Sequence, residues 1–547
     1  MQYSTPLQNL LTHTANHPNK IFLHQPVNKR WQEFTWQEVN SQARCIAAAL
    51  KAQGYQQGSH IGILSKNCAQ WVIADLAIMM AGMISVPIYP TANRRTISYV
   101  IKHANLKAIF VGKLDELTEA EAAIDETLLS IAFPYPTLSA QTTFESWLSE
   151  YSPLTDIHQA GLDDIATIVY TSGSTGVPKG VVLTHKNWAA AAKCTVEKFK
   201  ISGDDRILSY LPLAHIVERS GEAIALYSGE AMFFVESLDT FVENLQYAKP
   251  SLFISVPRLW TIFQTNILSK LSQKKLNFLL PIPLIGNVIA KKIRTSLGVQ
   301  CARAFGSGTA PIPSSLLDWY AKIGMPISEG WGMTETAGLS CVNMPFSNNN
   351  LGTIGHPVDC VEMKISPVGE ILIRGDAVFS GYYLNSEATD ESFIDGWFRT
   401  GDCAEITQDG VYKITGRIKD KFKTSKGKYV TPVPIESALS ANTDIGQVCL
   451  IGSGLTQPVA LVVLNETIKR KESGVENNLA QTLQEVNATL ESHEKLEHIV
   501  ICKEAWSVEN DLVTPTMKIK RNLIENKYNE LVGKNLNGNV IWEEDIY

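Results

Sequence analysis

Between Tyr170 and Gly180 the chain reads Tyr-Thr-Ser-Gly-Ser-Thr-Gly-Val-Pro-Lys-Gly, a dense collection of groups that could bind phosphate. Thr171, Ser172, Ser174 and Thr175 supply hydroxyls, and Lys179 supplies a positive charge. Gly173 and Gly176 free the backbone to turn its N–H groups inward. Such a loop suits a polyphosphate. It is not a Walker A loop, because Lys179 is followed by Gly180 rather than by Ser or Thr. The β-branched run Ile165, Thr167, Ile168 and Val169 predicts a buried strand that delivers the loop. A generic Gly/Ser loop is more often a surface connector; the complete string is far more specific.

Further groups follow in order along the chain. They are Leu211-Pro212-Leu213-Ala214-His215-Ile216-Val217-Glu218-Arg219, Gly330-Trp331-Gly332-Met333-Thr334-Glu335-Thr336 and Trp397-Phe398-Arg399-Thr400-Gly401-Asp402. Gly416-Arg417-Ile418-Lys419-Asp420 and Thr514-Pro515-Thr516-Met517-Lys518-Ile519-Lys520-Arg521 close the series. With the 170–180 loop, these strings resemble the ordered motifs of the adenylate-forming (AMP-binding) superfamily. The 211–219 string has the form typical of long-chain fatty acyl-CoA synthetases.

That resemblance implies ATP, Mg²⁺ and the co-substrate coenzyme A. It implies that Thr171, Ser172, Gly173, Ser174, Thr175, Gly176 and Lys179 hold the β- and γ-phosphates, and that Thr334 contacts phosphate. Glu335, a hard anionic oxygen donor, suits Mg²⁺. Asp402 can accept hydrogen bonds from ribose hydroxyls, and Arg417 can reach ribose or phosphate. Lys518 would neutralise charge growing at the α-phosphate, with Lys520 as a competing alignment. His215 would gate the substrate rather than act as a base. Trp331 and Gly332 would flank adenine, with Trp331 standing where the family commonly has tyrosine. Gly308 lies in Gly306-Ser307-Gly308-Thr309-Ala310-Pro311, where relatives usually have Ser-Gly-Gly-Ala-Pro, and would let adenine or acyl chain approach the backbone. Gly427, in Ser425-Lys426-Gly427-Lys428-Tyr429, would border a pantetheine tunnel after rotation at Lys419 or Asp420. Taken singly, each residue has a duller reading as a cap, a surface charge or a core side chain. The ordered series carries the assignment.

The elements that must position these groups are partly visible. Thr35 and Glu38 have capping-box spacing, and Val39, Ala43, Ile46 and Leu50 recur on one helical face before Gly54. Strands are expected at His60–Leu64, Ile84–Ile88 and 107–111, an alternation that predicts parallel sheet covered by helices. From about residue 351 short strands and turns predict antiparallel structure, with a hairpin at Asp409-Gly410. Beyond Gly416 the chain becomes rich in charge. Strands are expected at 447–451, Val459–Leu464 and 499–502, with a helix at 479–496. The fold class is therefore a large α/β N-terminal domain, 1–416, holding parallel sheets and a small antiparallel barrel-like part. A smaller, mobile α+β lid, 417–547, follows it.

The 547 residues suffice for more than one domain. A net charge of -7 argues against a nucleic-acid partner. The scattered cysteines contain no C-x-x-C pair, which fits reduced thiols and no zinc site. No signal-peptide pattern opens the chain, so a cytoplasmic location is expected. The apolar stretch 279–290, followed by Lys291, Lys292 and Arg294, has two readings: peripheral contact with anionic lipid, or a covered insertion. The activity expected is activation of a long- or medium-chain fatty acid through acyl-AMP to acyl-CoA. The alternatives are a ligase that loads an acyl carrier protein and a non-catalytic binding paralogue. No Ser-His-Asp order or histidine cluster points to hydrolysis.

Overall fold

A computed structural model describes residues 3–171, 177–466, 468–514, 518–532, 534 and 536–546. Its first helix after a hairpin shows how local chemistry sets the frame. Thr35 Oγ1 accepts from Glu38 N at 3.2 Å, and the Glu38 carboxylate accepts from Thr35 N at 2.8 Å. The helix Trp36–Ala52 follows, with Val39, Ala43, Ile46 and Leu50 fully buried and Gly54 at φ +78° beyond its end.

The largest sheet has eight strands. His60–Leu64 lies parallel between Ile84–Ile88 and Ala108–Val111, and Ile165–Thr171 extends the sheet beside Ile84–Ile88. These strands are apolar nearly throughout because helices cover both faces. The helix Ala69–Met80 is buried at every position and belongs to the core. Lys179–Thr184 returns antiparallel to Ile165–Thr171 and closes the hairpin that carries the phosphate-loop candidate.

A second sheet places Leu252–Ser255, Ala304–Ser307 and Ile327–Met333 side by side in parallel, then turns antiparallel into Gly338–Val342. The strands Val361–Ile365, Glu370–Gly375, Trp397–Ile406 and Tyr412–Arg417 form the antiparallel part. At the expected turn, Thr407 N donates to Val411 O at 2.9 Å and Gly410 takes φ +76°.

After the short 3-10 turn Ile418–Asp420 the strands form separate sheets. Ile445–Ile451, Val459–Leu464, Ile499–Ile501 and Val540–Trp542 form one of these. The fold is thus a large α/β N-terminal part with mixed sheets and a smaller α+β C-terminal part. We propose the division at 416/417, just before the turn Ile418–Asp420 after which the strands join separate sheets.

One helix differs from expectation. It spans Val475–Thr489 rather than 479–496, burying Val475, Leu479, Leu483 and Val486. Leu490 takes extended backbone angles and ends it. Polar Asn477 and Asn478 hide its beginning in the sequence.

Candidate active site

The ends of two sheets and a segment of the C-terminal part meet at one cleft. Strand Ile327–Met333 ends in the 3-10 turn Thr334–Thr336, which buries Thr334 and Glu335. Met333 N donates to Thr336 Oγ1 at 3.0 Å, and Ser340 Oγ donates to the same oxygen at 2.7 Å. These bonds hold the turn that points Glu335. Its carboxylate accepts from the Tyr382 phenol at 2.9 Å, and its backbone carbonyl accepts from Phe379 N at 2.8 Å. Burial pushes the Glu335 pKa up; the Tyr382 hydrogen bond and the charges of Lys518 and Arg417 oppose that shift.

Lys179 pairs with Thr171 across the hairpin, and its amine lies 4.8 Å from the centre of the Tyr382 ring. Tyr382 therefore ties the phosphate-loop lysine to Glu335. This tyrosine escaped the sequence reading because it belongs to no motif and arrives from a distant edge strand, Gly381–Tyr382. Ser172, Gly173, Ser174, Thr175 and Gly176 lie outside the described residues.

Asp402 and Arg417 face each other on antiparallel strands, with Arg417 Nε 2.7 Å from Asp402 Oδ1. Trp331 Nε1 donates to the other carboxylate oxygen at 2.8 Å. Asp402 is thus gripped from two sides and fixed in orientation. The sequence reading gave Trp331 only a stacking role, whereas its indole N–H also positions Asp402. Gly332 has a packing reason for lacking a side chain: a Cβ there would meet Gly338 O at 1.7 Å, at the register shift after Trp331. Gly308 donates its N–H to Ser255 O at 3.3 Å, at the end of the Ala304–Ser307 strand.

The paired residues 513–514 and 518–519 deliver Lys518. Thr514 N donates to Lys518 O at 2.8 Å and Lys518 N to Thr514 Oγ1 at 3.0 Å, with Val513 and Ile519 bridged behind them. Lys518 is exposed as a residue, yet its amine is near enough to Arg417, Asp402 and Glu335 to feel their charges. The surrounding protein lowers its pKa and the Arg417 charge lowers it further, against Asp402 and Glu335. Lys520 goes elsewhere and pairs with Asp511. The geometry separates the two lysines that compete in the sequence alignment.

His215 caps the helix Ile216–Ser228, its Nδ1 accepting from Val217 N at 3.3 Å. That bond assigns the proton of the neutral ring to Nε2. Burial holds the His215 pKa down to about 3, and Lys518 contributes to the lowering. A neutral ring cannot add charge to the cleft. The helix is anchored by Arg219, whose guanidinium donates to Asp75 at 2.7 Å and to Glu222 at 2.6 Å. It lies between the Trp71 and Trp188 rings, 4.7 and 4.4 Å from their centres. Arg219 and both carboxylates are fully buried.

An apolar groove runs along the same helix. Val217, Gly221 and Ile224 line one wall and Leu211, Leu252 and Ile254 line others, with Glu218 and Glu230 among them. Val217 and Ile224 are seven residues apart, so this stretch is about 10 Å long. Glu218, beside Leu211, is pushed up to about 8 by burial and is therefore mostly neutral at pH 7. Gly427 is not brought to the cleft. It takes φ +78° at the exposed tip of a hairpin, where its N–H donates to Thr424 O at 2.9 Å.

The sequence profile described as AMP-binding enzyme matches residues 10–383, and that of the AMP-binding enzyme C-terminal domain matches 419–536. The chain belongs to the AMP-binding enzyme family. Within it, the chain is similar to long-chain-fatty-acid–CoA ligase FadD15 of Mycobacterium bovis, with 29% identity over 569 residues and 94% of each chain covered. It is 30% identical over 564 residues to long chain acyl-CoA synthetase 1 of Arabidopsis thaliana, covering 89% of this chain and 85% of that one. Among solved structures, the anthranilate CoA ligase AuaEII with anthranoyl-AMP matches at TM-score 0.81 and 21% identity, covering 97% of this chain and 98% of that one. That likeness shows the shared fold.

Proposed function

We propose that this protein uses ATP to convert a long- or medium-chain fatty acid into acyl-AMP, and then passes the acyl group to coenzyme A. The observation that carries the reading is the convergence of Lys518 with Glu335, Asp402 and Arg417: Lys518 feels the charges of all three, and Arg417 Nε stands 2.7 Å from Asp402 Oδ1. The relatives named as long-chain acyl-CoA synthetases and ligases support the choice of acid. The groove along the helix Ile216–Ser228 supports it chemically, since its wall residues are mostly apolar, as contact with an aliphatic chain requires.

In the first step the carboxylate oxygen forms a bond to the α-phosphorus of ATP, and the bond to pyrophosphate breaks. Two anions must approach, so catalysis rests on positioning and charge neutralisation. Asp402, held by Trp331 and Arg417, receives the ribose hydroxyls. Lys179 receives terminal phosphate oxygens, and Lys518 neutralises the α-phosphate. Among the described residues no set of three or more His, Cys, Asp or Glu forms a cation cage. Glu335 alone fits Mg²⁺, which takes one or two protein carboxylates together with phosphate oxygens and water.

In the second step the sulfur of coenzyme A bonds to the acyl carbon while the bond to AMP breaks and the thiol proton leaves. We infer that rotation at Lys419 or Asp420 withdraws Lys518 and presents the Gly427 hairpin to the pantetheine arm. That motion would bring Gly427 into the site.

The test is a panel of acids from acetate to oleate, assayed for pyrophosphate release and thioester formation with and without coenzyme A. Preference for long or medium aliphatic acids, with thioester formed only with coenzyme A, is expected. Preference for acetate or aromatic acids, or transfer only to a carrier protein, would overturn the reading.

Two results should follow from the groove and from Lys518. Gly221 lines the groove, and a Cβ there already stands 3.4 Å from Ile207 Cδ1. Gly221→Leu is expected to cut kcat/KM for palmitate at least about tenfold more than for hexanoate, since roughly 1–3 kcal/mol attaches to mismatched apolar volume. Equal losses would refute the groove assignment. The adenylation rate is expected to fall as pH rises and Lys518 loses its proton. Because its pKa is lowered, this limb should lie below the ordinary lysine value of 10.5. Lys518→Arg should move the limb upward; an unchanged limb would count against the assignment.

A further inference from the structure

The groove along the helix Ile216–Ser228 has mostly apolar walls, but Thr195, Glu218 and Glu230 also line it. Thr195 Oγ1 donates to Ala191 O at 2.8 Å, within its own helix. Glu218 accepts from Leu211 N at 3.2 Å through one carboxylate oxygen. Glu230 is different. It is 1% exposed, and among the described residues neither of its carboxyl oxygens has a hydrogen-bond partner. A buried polar group without partners is costly, and native proteins rarely keep one without a use. Its position is also definite. The helix is capped by His215, which feels the charge of Lys518, so its first turn faces the reaction cleft. It ends at the C-cap Gly229, and Glu230 comes next. From Glu218 to Ser228 the helix rises about 15 Å, so Glu230 stands far from the cleft, where the tail of a bound chain would arrive.

The surroundings of Glu230 give it no ion pair. Arg303 is near enough for its charge to act on Glu230, but its guanidinium donates elsewhere: to Phe199 O at 2.6 Å, Lys200 O at 3.1 Å and Asp205 at 3.0 Å. Burial, with the Asp205 charge adding to it, pushes the Glu230 pKa up to about 8. The carboxyl therefore mostly keeps its proton at pH 7. A protonated carboxyl donates one hydrogen bond and accepts others. The group that matches it must also donate and accept, and it must be uncharged, because burying an ion carries its own desolvation cost. A hydroxyl meets both conditions.

We propose that Glu230 selects acids whose chain carries a hydroxyl at its far end, so that ω-hydroxy fatty acids are the preferred substrates. This rests on the acyl-activation reading above and adds the substrate class to it. The substrate hydroxyl accepts from the Glu230 carboxyl O–H and donates its own hydrogen to the other Glu230 oxygen. The methylenes between lie against Val217, Gly221 and Ile224. A methyl terminus would leave both Glu230 oxygens unpaired, and a site built to hydrogen-bond a hydroxyl rejects the analogue that lacks it for this reason. The competing explanation is a trapped water that satisfies Glu230, which predicts no preference between the two kinds of acid.

The experiment measures kcat/KM for pyrophosphate release by the full-length protein with laurate, palmitate and their ω-hydroxy counterparts, given ATP and Mg²⁺. At one chain length or both, the ω-hydroxy acid is expected to exceed its parent at least about tenfold. Glu230→Leu should bring that ratio to one or below. Glu230→Gln, which retains a donor and an acceptor, should keep most of it. The melting temperature of Glu230→Leu should not fall, since an unpaired polar group gives way to an apolar one. Equal use of both members of each pair by the wild type, a ratio unchanged in Glu230→Leu, or a preference for the corresponding α,ω-diacids would overturn the inference. If the plain acids are activated and the hydroxy acids are not, this inference alone fails. If none of the four acids releases pyrophosphate, the reading of the reaction fails and this inference with it.

Discussion

Lys518→Ala is expected to lower acid-dependent ATP–pyrophosphate exchange by about 10²–10³-fold, the loss that follows removal of one preorganised electrostatic contact to a developing charge. Thioester formation from supplied acyl-AMP and coenzyme A should stay within a few-fold of wild type, because in the mechanism proposed Lys518 has left the cleft by then. The melting temperature should not move: this segment is held by Thr514 and by the Val513–Ile519 bridge, not by the amine. Lys520→Ala is the control. That lysine pairs with Asp511, with partly exposed side chains on both, so its loss should have little effect on exchange. Exchange that survives Lys518→Ala and is abolished by Lys520→Ala would overturn the placement of the catalytic lysine.

Arg219→Leu is expected to destabilise the protein by about 3–5 kcal/mol, read as a fall in the denaturant midpoint. The arginine is the cation shared by Asp75 and Glu222, all three side chains being at most 1% exposed. Removing it strands two carboxyl groups away from water. Burial already raises the Glu222 pKa, with Arg219 opposing. The substitution also empties the space between the Trp71 and Trp188 rings. Replacing Arg219, Asp75 and Glu222 together by apolar residues of similar size should recover most of the loss, since the single change is costly through its unpaired partners. A midpoint unchanged by Arg219→Leu would show that the network contributes nothing. Because this arginine anchors the helix capped by His215 and lined by the groove, Arg219→Lys should raise KM for the acid more than KM for ATP.

Much of the fold could be read from neighbouring residues. Thr35 and Glu38 announce a helix start because the cap closes within four residues, and Asp409-Gly410 announces a hairpin because the turn needs a positive φ at the glycine. The buried parallel strands are legible as β-branched runs. The helix Val475–Thr489 was misplaced because its buried positions stand beside polar ones that give no start signal. The apolar stretch 279–290 was ambiguous for a related reason: an apolar sequence does not say which of its faces another element covers.

The residue types and order of the motifs, through their resemblance to the adenylate-forming superfamily, pointed to the family and nominated Lys179, Glu335, Asp402, Arg417 and Lys518. Which of them meet was a matter for the fold. Tyr382 joins Lys179 to Glu335, Trp331 aims Asp402, and Asp75 reaches Arg219 from 144 residues away. Lys518 and Lys520 are near neighbours in the chain, yet one faces the cleft and the other pairs with Asp511. Such pairings depend on strand register and on the packing of distant elements. A local string of side chains does not encode where those elements come to rest.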